Sequence, residues 1–405
     1  MKNIKKIVAL ALGGVMSLGL FTGCSKDSMD LYKAFSKSQS VTSMTTKTDM
    51  TLKVSAQNLS AQEKQVADSI IPMINNSSIS MTTKTNQNKE KTKAQVQSDI
   101  KMNIANMPLD MALWMDTDLT GEQLKLKEIV KLPSALMQSA PEEFKGKEYL
   151  YMDYKDIANI PGAGTPDFKK VTEFSKDLQE KLVKFISKYA MQFNPKTEVI
   201  AYKGPEFITQ QRVAQLAKIY EIKLDDKGFK ELLRYTVNNF AQNNDVLEFI
   251  KEYMNSSLQF AGLPEEELNK AKEEMDKAFQ AYEKNLPQFV EKINATFDGI
   301  KDIKILGEKG IAIQYAVGSD GYIINEKGVA DFVIDLSQLD KLNAKAQENG
   351  AERLAGVYNF TLEFNSDIYN INEYNDIQLP ELNEKNSVNY MELINTMVSG
   401  LQKLD

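Results

Sequence analysis

The chain has 405 residues, with 49 basic and 56 acidic side chains and a formal net charge of −7 at neutral pH, so its composition argues against nucleic acid as a partner. It contains no histidine and a single cysteine, which excludes Ser-His-Asp triads, intrachain disulfides and zinc sites built from histidine and cysteine. We therefore predict a noncatalytic protein with no cofactor and no metal site.

The N-terminal segment has the three parts of a secretory signal. Three lysines lie within the first six residues, an apolar and glycine-rich run extends to Leu20, and small residues precede Cys24. The run LFTGC resembles the lipobox of bacterial lipoproteins, in which the cysteine is acylated and becomes the new N-terminus. The resemblance implies that residues 1–23 are a lipoprotein signal peptide, and that acyl chains on Cys24 hold the protein on the outward face of the cell membrane. An ordinary secretory signal with an incidental cysteine is the alternative.

Residues 24–40 are predicted to form the anchor, a tether and a first helix with Leu31 and Phe35 on one side. From residue 41 to 155 apolar and polar residues alternate, as in half-buried strands with one wet face. A short helix interrupts these strands, because Ser60 and Glu63 have the spacing of a capping box.

Residues 160–298 are predicted to be mainly helical. Apolar residues recur at helical spacing after Pro166 and again after Pro264, and Asp245 is predicted to cap a helix between them. A strand interrupts the helices near Tyr220, and Pro287 is expected to break or kink the last of them.

Alternation returns over 303–380, and a C-terminal helix is predicted over 387–403. Sheet, helices and sheet in this order indicate an α+β fold. We expect residues 41–405 to form a single domain, a curved antiparallel sheet with several helices packed on or inserted against its concave face. Two lobes are the alternative at this length.

Three stretches are similar to members of the outer-membrane lipoprotein carrier superfamily, LolA and LppX with their secreted lipoprotein relatives. They are AFSKSQSVTSMTTKTDMTL from residue 34, YEIKLDDKGFKELL from residue 220 and YNINEYNDIQLPEL from residue 369, the last resembling the family's final strand. The resemblance implies an antiparallel half-barrel with helices on its concave side and, in several relatives, an apolar cavity that holds acyl chains. The long helical middle of this chain would fill such a cavity or cover it.

The candidate ligand site consists of methionines on predicted strand faces, Met102, Met111 and Met115. Flexible methionine side chains suit an adaptable lipid cavity, although ordinary core packing is the alternative explanation. Asp116 with Asp118 has oxygen ligands that suit calcium but lacks the glycine and distal glutamate of an EF-hand, so solvation of a strand end is the better interpretation.

These observations predict a lipid-anchored extracytoplasmic protein that binds a lipid or other apolar ligand, or an envelope protein. The alternative is a structural or protein-interaction module of the cell envelope whose helices plug the cavity. An enzyme that uses two facing carboxylates on polysaccharide would need a cleft that sequence spacing cannot reveal.

Overall fold

The computed structural model describes residues 26–120, 125–134, 145–153, 168–195, 199–338 and 355–391. The six helices with full bounds in these ranges are α1 Lys26–Ser38, α2 Ala61–Asn75, α3 Phe168–Gln192, α4 Asp226–Gln242, α5 Asn244–Phe260 and α6 Glu265–Gly299. The strands are β1 Ser43–Gln57, β2 Ser78–Gln87, β3 Lys93–Ile104, β4 Met107–Asp118, β5 Lys125–Lys131, β6 Tyr149–Asp153, β7 Ile200–Gln210, β8 Val213–Leu224, β9 Leu306–Val317, β10 Ile323–Asp335, β11 Val357–Tyr369 and β12 Ser387–Asn389. No helix within these ranges is long and apolar enough to cross a bilayer.

All twelve strands belong to one curved sheet, in the order β12-β6-β5-β4-β3-β2-β1-β11-β10-β9-β8-β7. Neighbouring strands are antiparallel except β12 and β6, which are parallel. The two predicted stretches of strands are joined where β1 pairs with β11, from Thr45 opposite Tyr369 to Gln57 opposite Val357. The α+β class and the curved sheet are confirmed.

The main core lies between the helices and one face of strands β7 to β10. Helix residues such as Leu31, Tyr189 and Leu232 pack there against strand residues such as Ile222 and Tyr315. These residues are large and apolar, and each is less than a tenth exposed. Because successive side chains of a strand alternate between faces, the opposite face of β8 to β10 carries different residues, and there Ala217, Ile219, Ala316 and Ile324 form a smaller apolar cluster.

The residues predicted to cap or break the helices can be compared with those observed. At α2, Ser60 accepts a hydrogen bond from the Glu63 amide at 3.3 Å, and the Glu63 carboxylate accepts one from the Ser60 amide at 2.8 Å, so the predicted capping box is confirmed. The prediction for α5 was wrong, because Asn243 is its N-cap and Asp245 lies in the first turn. Of the break or kink predicted at Pro287, the break was wrong, since α6 continues through this residue.

Two stretches of the chain differ from the predicted elements. The helical middle contains the hairpin of β7 and β8, of which only the second strand was expected. At the C-terminus, residues 387–389 form β12 rather than the start of a helix, and they pair with residues 149–151 of β6. Residues 392–405, over which the helix was predicted to continue, lie outside the described residues.

The segment 370–386, which we call the strap, runs from the end of β11 to β12 and was wrongly expected to be strand through residue 380. It crosses the face of the sheet opposite the helices, where Ile377 packs against Trp114 and Ile129 in a second apolar cluster. Asn375 fixes the strap to β1 and β2 by hydrogen bonds to Thr45, Asn86 and two backbone carbonyls. The strap therefore connects β1 and β2, to which Asn375 is bonded, with β4 and β5, against which Ile377 packs.

Candidate apolar binding face

The helix-bearing face of the sheet continues as an apolar surface beyond the helices. The pairing register places Ile222, Ile313, Gly328, Phe364, Met50, Ile79 and Met102 side by side across seven adjacent strands. A second row on the same face, two residues further along each strand, contains Leu224, Ile311, Ala330, Leu362 and Leu52. One face of one sheet thus carries apolar side chains both under the helices and beside them.

We call the part of this face on β11, β1, β2, β3 and β4 the methionine face. Its apolar members are Met50, Leu52, Ile79, Met81, Ile100, Met102, Met111, Leu113, Met115, Leu362 and Phe364. At a strand spacing of 4.7–4.9 Å, these five strands extend over about 19 Å.

Burial changes sharply along this face. Under the helices, Tyr220, Ile222 and Tyr315 are 3%, 7% and 8% exposed. On the methionine face, Leu52 and Leu362 are each 37% exposed, and Ile79 is 38% exposed. The remaining members of the methionine face are half-buried. Since the residue types are similar in both halves, the difference follows from the position of the helices: α1 and α4 contact strands of the group β7 to β10, whereas α2 contacts β1.

The structure brings two of the three predicted methionines together. Met102 of β3 lies opposite Leu109, and Met111 lies opposite Ile100, so Met102 and Met111 are diagonal neighbours on one face. Met115 lies on the same face four residues further along β4, opposite Val96. All three are half-buried. Cys24, the predicted lipidation site, lies outside the described residues.

A row of polar side chains lies at the boundary between the strands under the helices and the methionine face. Glu326 of β10 lies between Tyr315 of β9 and Ser366 of β11, and the Ser366 hydroxyl is 2.8 Å from that of Thr48. Burial raises the pKa of the Glu326 carboxyl. Burial, together with the negative charge of Glu326, also raises the pKa of the Tyr315 phenol. The row therefore places a half-buried acid and the hydroxyls of Ser366 and Thr48 beside a large apolar surface.

Within the described part of the chain, a cleft between α3 and α5 has a volume of about 20 Å³, which is room for one water molecule. Its lining combines charged side chains such as Lys181 and Glu248 with Phe185 and Phe249, and its volume is too small for an acyl chain. In the same ranges, no group of three or more acidic, histidine or cysteine side chains could hold a metal ion. Asp116 and Asp118 are instead occupied by ion pairs, with Lys125 and Lys93 respectively.

Sequence reasoning missed most of the methionine face. Met50, Ile79 and Phe364 each belong to a strand that alternation predicts, but nothing local shows that these three strands are neighbours. A weak signal is present at Gly328, where a Cβ atom would lie 2.8 Å from the ring of Phe364. The glycine thus leaves room for this ring on the apolar face.

Comparison of the chain with protein-family models, curated proteins and solved structures finds no match. These comparisons therefore do not link the chain to the lipoprotein carrier superfamily that its sequence resembles.

Proposed function

We propose that this protein is a noncatalytic, lipid-anchored, extracytoplasmic lipoprotein that binds the acyl chain of a lipid on its methionine face. The observation that carries the proposal is the change of burial along one continuous apolar face, from under a tenth exposed beneath the helices to more than a third exposed at Leu52, Ile79 and Leu362. Exposed apolar surface on this scale is typical of a binding site.

The dimensions and chemistry of the face suit an acyl chain. Its width of about 19 Å exceeds the roughly 15 Å that a chain spans in one leaflet of a bilayer. Its five methionines have flexible, polarisable side chains that adapt to ligands of different length and unsaturation. Glu326, Ser366 and Thr48 lie at one side of the face, where the polar end of a lipid would find hydrogen-bonding partners.

The absence of histidine from the sequence supports a noncatalytic role, because it removes the commonest general base. The anchor is supported by the lipobox-like run before Cys24. Acyl chains on Cys24 would place the methionine face close to a supply of lipid.

A second candidate is a protein-interaction module of the envelope, in which the methionine face binds an apolar surface of another protein. It is favoured by the exposure of Leu52, Ile79 and Leu362, which form a surface patch rather than an enclosed cavity. The two candidates differ in whether the purified protein carries lipid.

The test is organic extraction and mass spectrometry of protein released from the membrane under native conditions, with two variants compared. Ile79→Lys places a charge on the methionine face, where the exposed position lets the lysine reach water without unfolding the sheet. Ser80→Lys is the matched control, because the next residue of β2 points to the opposite face, between Asp49 and Lys101. We expect near-stoichiometric lipid in the wild type and the control, and about a tenfold loss in Ile79→Lys, equivalent to about 1.4 kcal/mol. Wild-type protein without bound lipid would refute lipid binding and favour the protein-interaction module.

A further inference from the structure

Charged side chains are distributed unequally between the two faces of the central strands. On β10, β11 and β1 to β4, alternation leaves Glu326 as the one charged residue on the helix-bearing face. The lysines of these strands all lie on the opposite face: Lys47, Lys53, Lys84, Lys93, Lys101 and Lys327. Contacts agree with this assignment, since Lys84 donates to the Asp376 carbonyl of the strap and Lys93 pairs with Asp118. These strands therefore present no positive charge on the helix-bearing face.

Glu326 is half-buried, and among the described residues its carboxylate has neither a hydrogen bond nor an ion pair. Its neighbours across the strands are Tyr315 of β9 and Ser366 of β11. A second carboxylate or a phosphate beside Glu326 would place two like charges close together, which disfavours ionisation of both. Because no lysine lies on this face of the adjacent strands, nothing there offsets the repulsion. The site is thus unfavourable for an anionic lipid headgroup.

Hydroxyl groups extend the row of polar side chains on this face. The Ser366 and Thr48 hydroxyls are 2.8 Å apart, and in the next row Thr83 lies opposite Thr46, with its hydroxyl 2.9 Å from that of Ser98. We call these five residues the hydroxyl patch. A hydroxyl has one hydrogen to donate and two lone pairs that accept, so each pair keeps unused capacity. The threonines are half-buried and leave this capacity accessible.

The hydroxyl patch lies directly beside the apolar side chains of the methionine face. Thr48 is two residues from Met50 on β1, and Ser366 is two residues from Phe364 on β11. A step of two residues along a strand covers about 6.6–6.8 Å. An acyl chain that crosses the apolar row would therefore bring its polar end within reach of Glu326 and the hydroxyl patch.

These contacts suit the hydroxyls of a ligand better than an ammonium group. An ammonium group donates three hydrogen bonds and accepts none, so it would leave the hydrogens of the patch unmatched. Burial raises the pKa of the Glu326 carboxyl, which weakens Glu326 as the partner of a cation. A ligand hydroxyl both donates and accepts, as the groups of the patch do.

We propose that the methionine face selects lipids whose polar end is uncharged and bears hydroxyl groups, and that Glu326 and the hydroxyl patch make this selection. The inference rests on the proposed function, because it concerns the lipid that the same face binds. Glu326 disfavours anionic heads, and the patch binds the hydroxyls of neutral ones.

The test is a competition among lipids of one chain length. Vesicles of phosphatidylcholine carry equal amounts of monomyristoylglycerol, myristate and tetradecylamine at about pH 8, where a carboxylic acid of ordinary pKa is ionised. The full protein, released from the membrane, is equilibrated with these vesicles and recovered, and its bound lipids are measured by extraction and mass spectrometry. Comparison of the bound ratios between variants cancels the partition of each lipid into the vesicles.

Three variants separate the contributions. Glu326→Gln removes the charge at nearly unchanged size, and we expect the ratio of bound monomyristoylglycerol to myristate to fall at least about tenfold, equivalent to about 1.4 kcal/mol. Asp49→Asn is the matched control, because it removes the same charge from an exposed residue on the opposite face of β1, and its ratio should stay within about twofold of the wild type. Thr48→Val, which replaces a hydroxyl by a methyl group, should lower the ratio about threefold.

Each outcome bears on a different part of the proposal. Equal ratios in the wild type and Glu326→Gln would overturn the selection, while lipid recovered from both would leave the proposed function intact. An unchanged ratio in Thr48→Val would overturn the part assigned to the hydroxyl patch. Preferential recovery of tetradecylamine would make Glu326 the partner of a cation and would also overturn the proposal. Wild-type protein that carries none of the three lipids would refute the proposed function itself, and the selection with it.

Discussion

Asn375 is predicted to hold the strap on the sheet, and its truncation to alanine should destabilise the whole protein. The side chain is 5% exposed and makes three hydrogen bonds within 3.1 Å. Its Oδ1 accepts from the hydroxyl of Thr45, and its Nδ2 donates to the carbonyls of Met44 and Thr85. Each such bond contributes about 0.5–1.5 kcal/mol, and the Thr45 hydroxyl, which is itself buried, would lose its partner. We expect Asn375→Ala to lower the free energy of unfolding by about 2–4 kcal/mol.

Calorimetry of the chain from residue 24 onward measures this effect. At about 2.1 cal/mol/K per residue, a folded chain of about 380 residues unfolds with an entropy near 0.8 kcal/mol/K, so the predicted loss corresponds to a fall in Tm of about 3–5 °C. Asp376→Ala is the matched control, because the adjacent side chain is exposed and, among the described residues, its carboxylate accepts a hydrogen bond from Gln378 alone. Its Tm should change by less than about 1 °C. Equal Tm values for the two variants would refute the role assigned to Asn375.

Two further predictions concern buried acids. Burial raises the pKa of Glu326 in the folded protein above its ordinary value of 4.5. As the pH rises above 4.5, the unfolded chain loses this proton before the folded protein does, so the free energy of unfolding should fall. Glu326→Gln should remove that fall and raise the Tm at pH 8 but not at pH 4, and a pH-independent effect would contradict the assignment. Gly307→Ala should cost about 1–3 kcal/mol in urea unfolding, because its Cβ would lie 2.2 Å from the Asp331 carboxylate, which is fixed by Lys309, Asn359 and Thr361. Gly299→Ala, which meets nothing within 4 Å, is the control, and equal losses in both variants would count against this packing.

The elements that sequence predicts well are those encoded by local patterns. The alternation of Ile311, Ile313 and Tyr315 predicts β9, and the spacing of Ser60 and Glu63 predicts the start of α2. In both cases the physical cause lies within a few residues. β7 was missed because it is an edge strand, exposed on both faces over much of its length, and because Gly204 and Pro205 interrupt its sequence.

The candidate site depends on contacts between distant parts of the chain. Met50 pairs with Phe364 across more than three hundred residues, and this pairing unites the two predicted sheets. Single methionines at 102, 111 and 115 could be placed on apolar strand faces from alternation, but the extent of the surface could not. The strap was missed for a related reason, since Ile377 and Asn375 are fixed by partners that lie elsewhere in the sequence.

The central claim, that the methionine face binds an acyl chain, can be tested by methyl NMR of protein labelled at its methionines. A titrated fatty acid should shift the signals of Met50, Met81, Met102 and Met111 together and saturate near one equivalent. The signals of Met73 and Met254, which are exposed on α2 and α5, serve as internal controls and should stay unchanged. Shifts confined to the control methionines, or no shift at any methionine, would contradict the account.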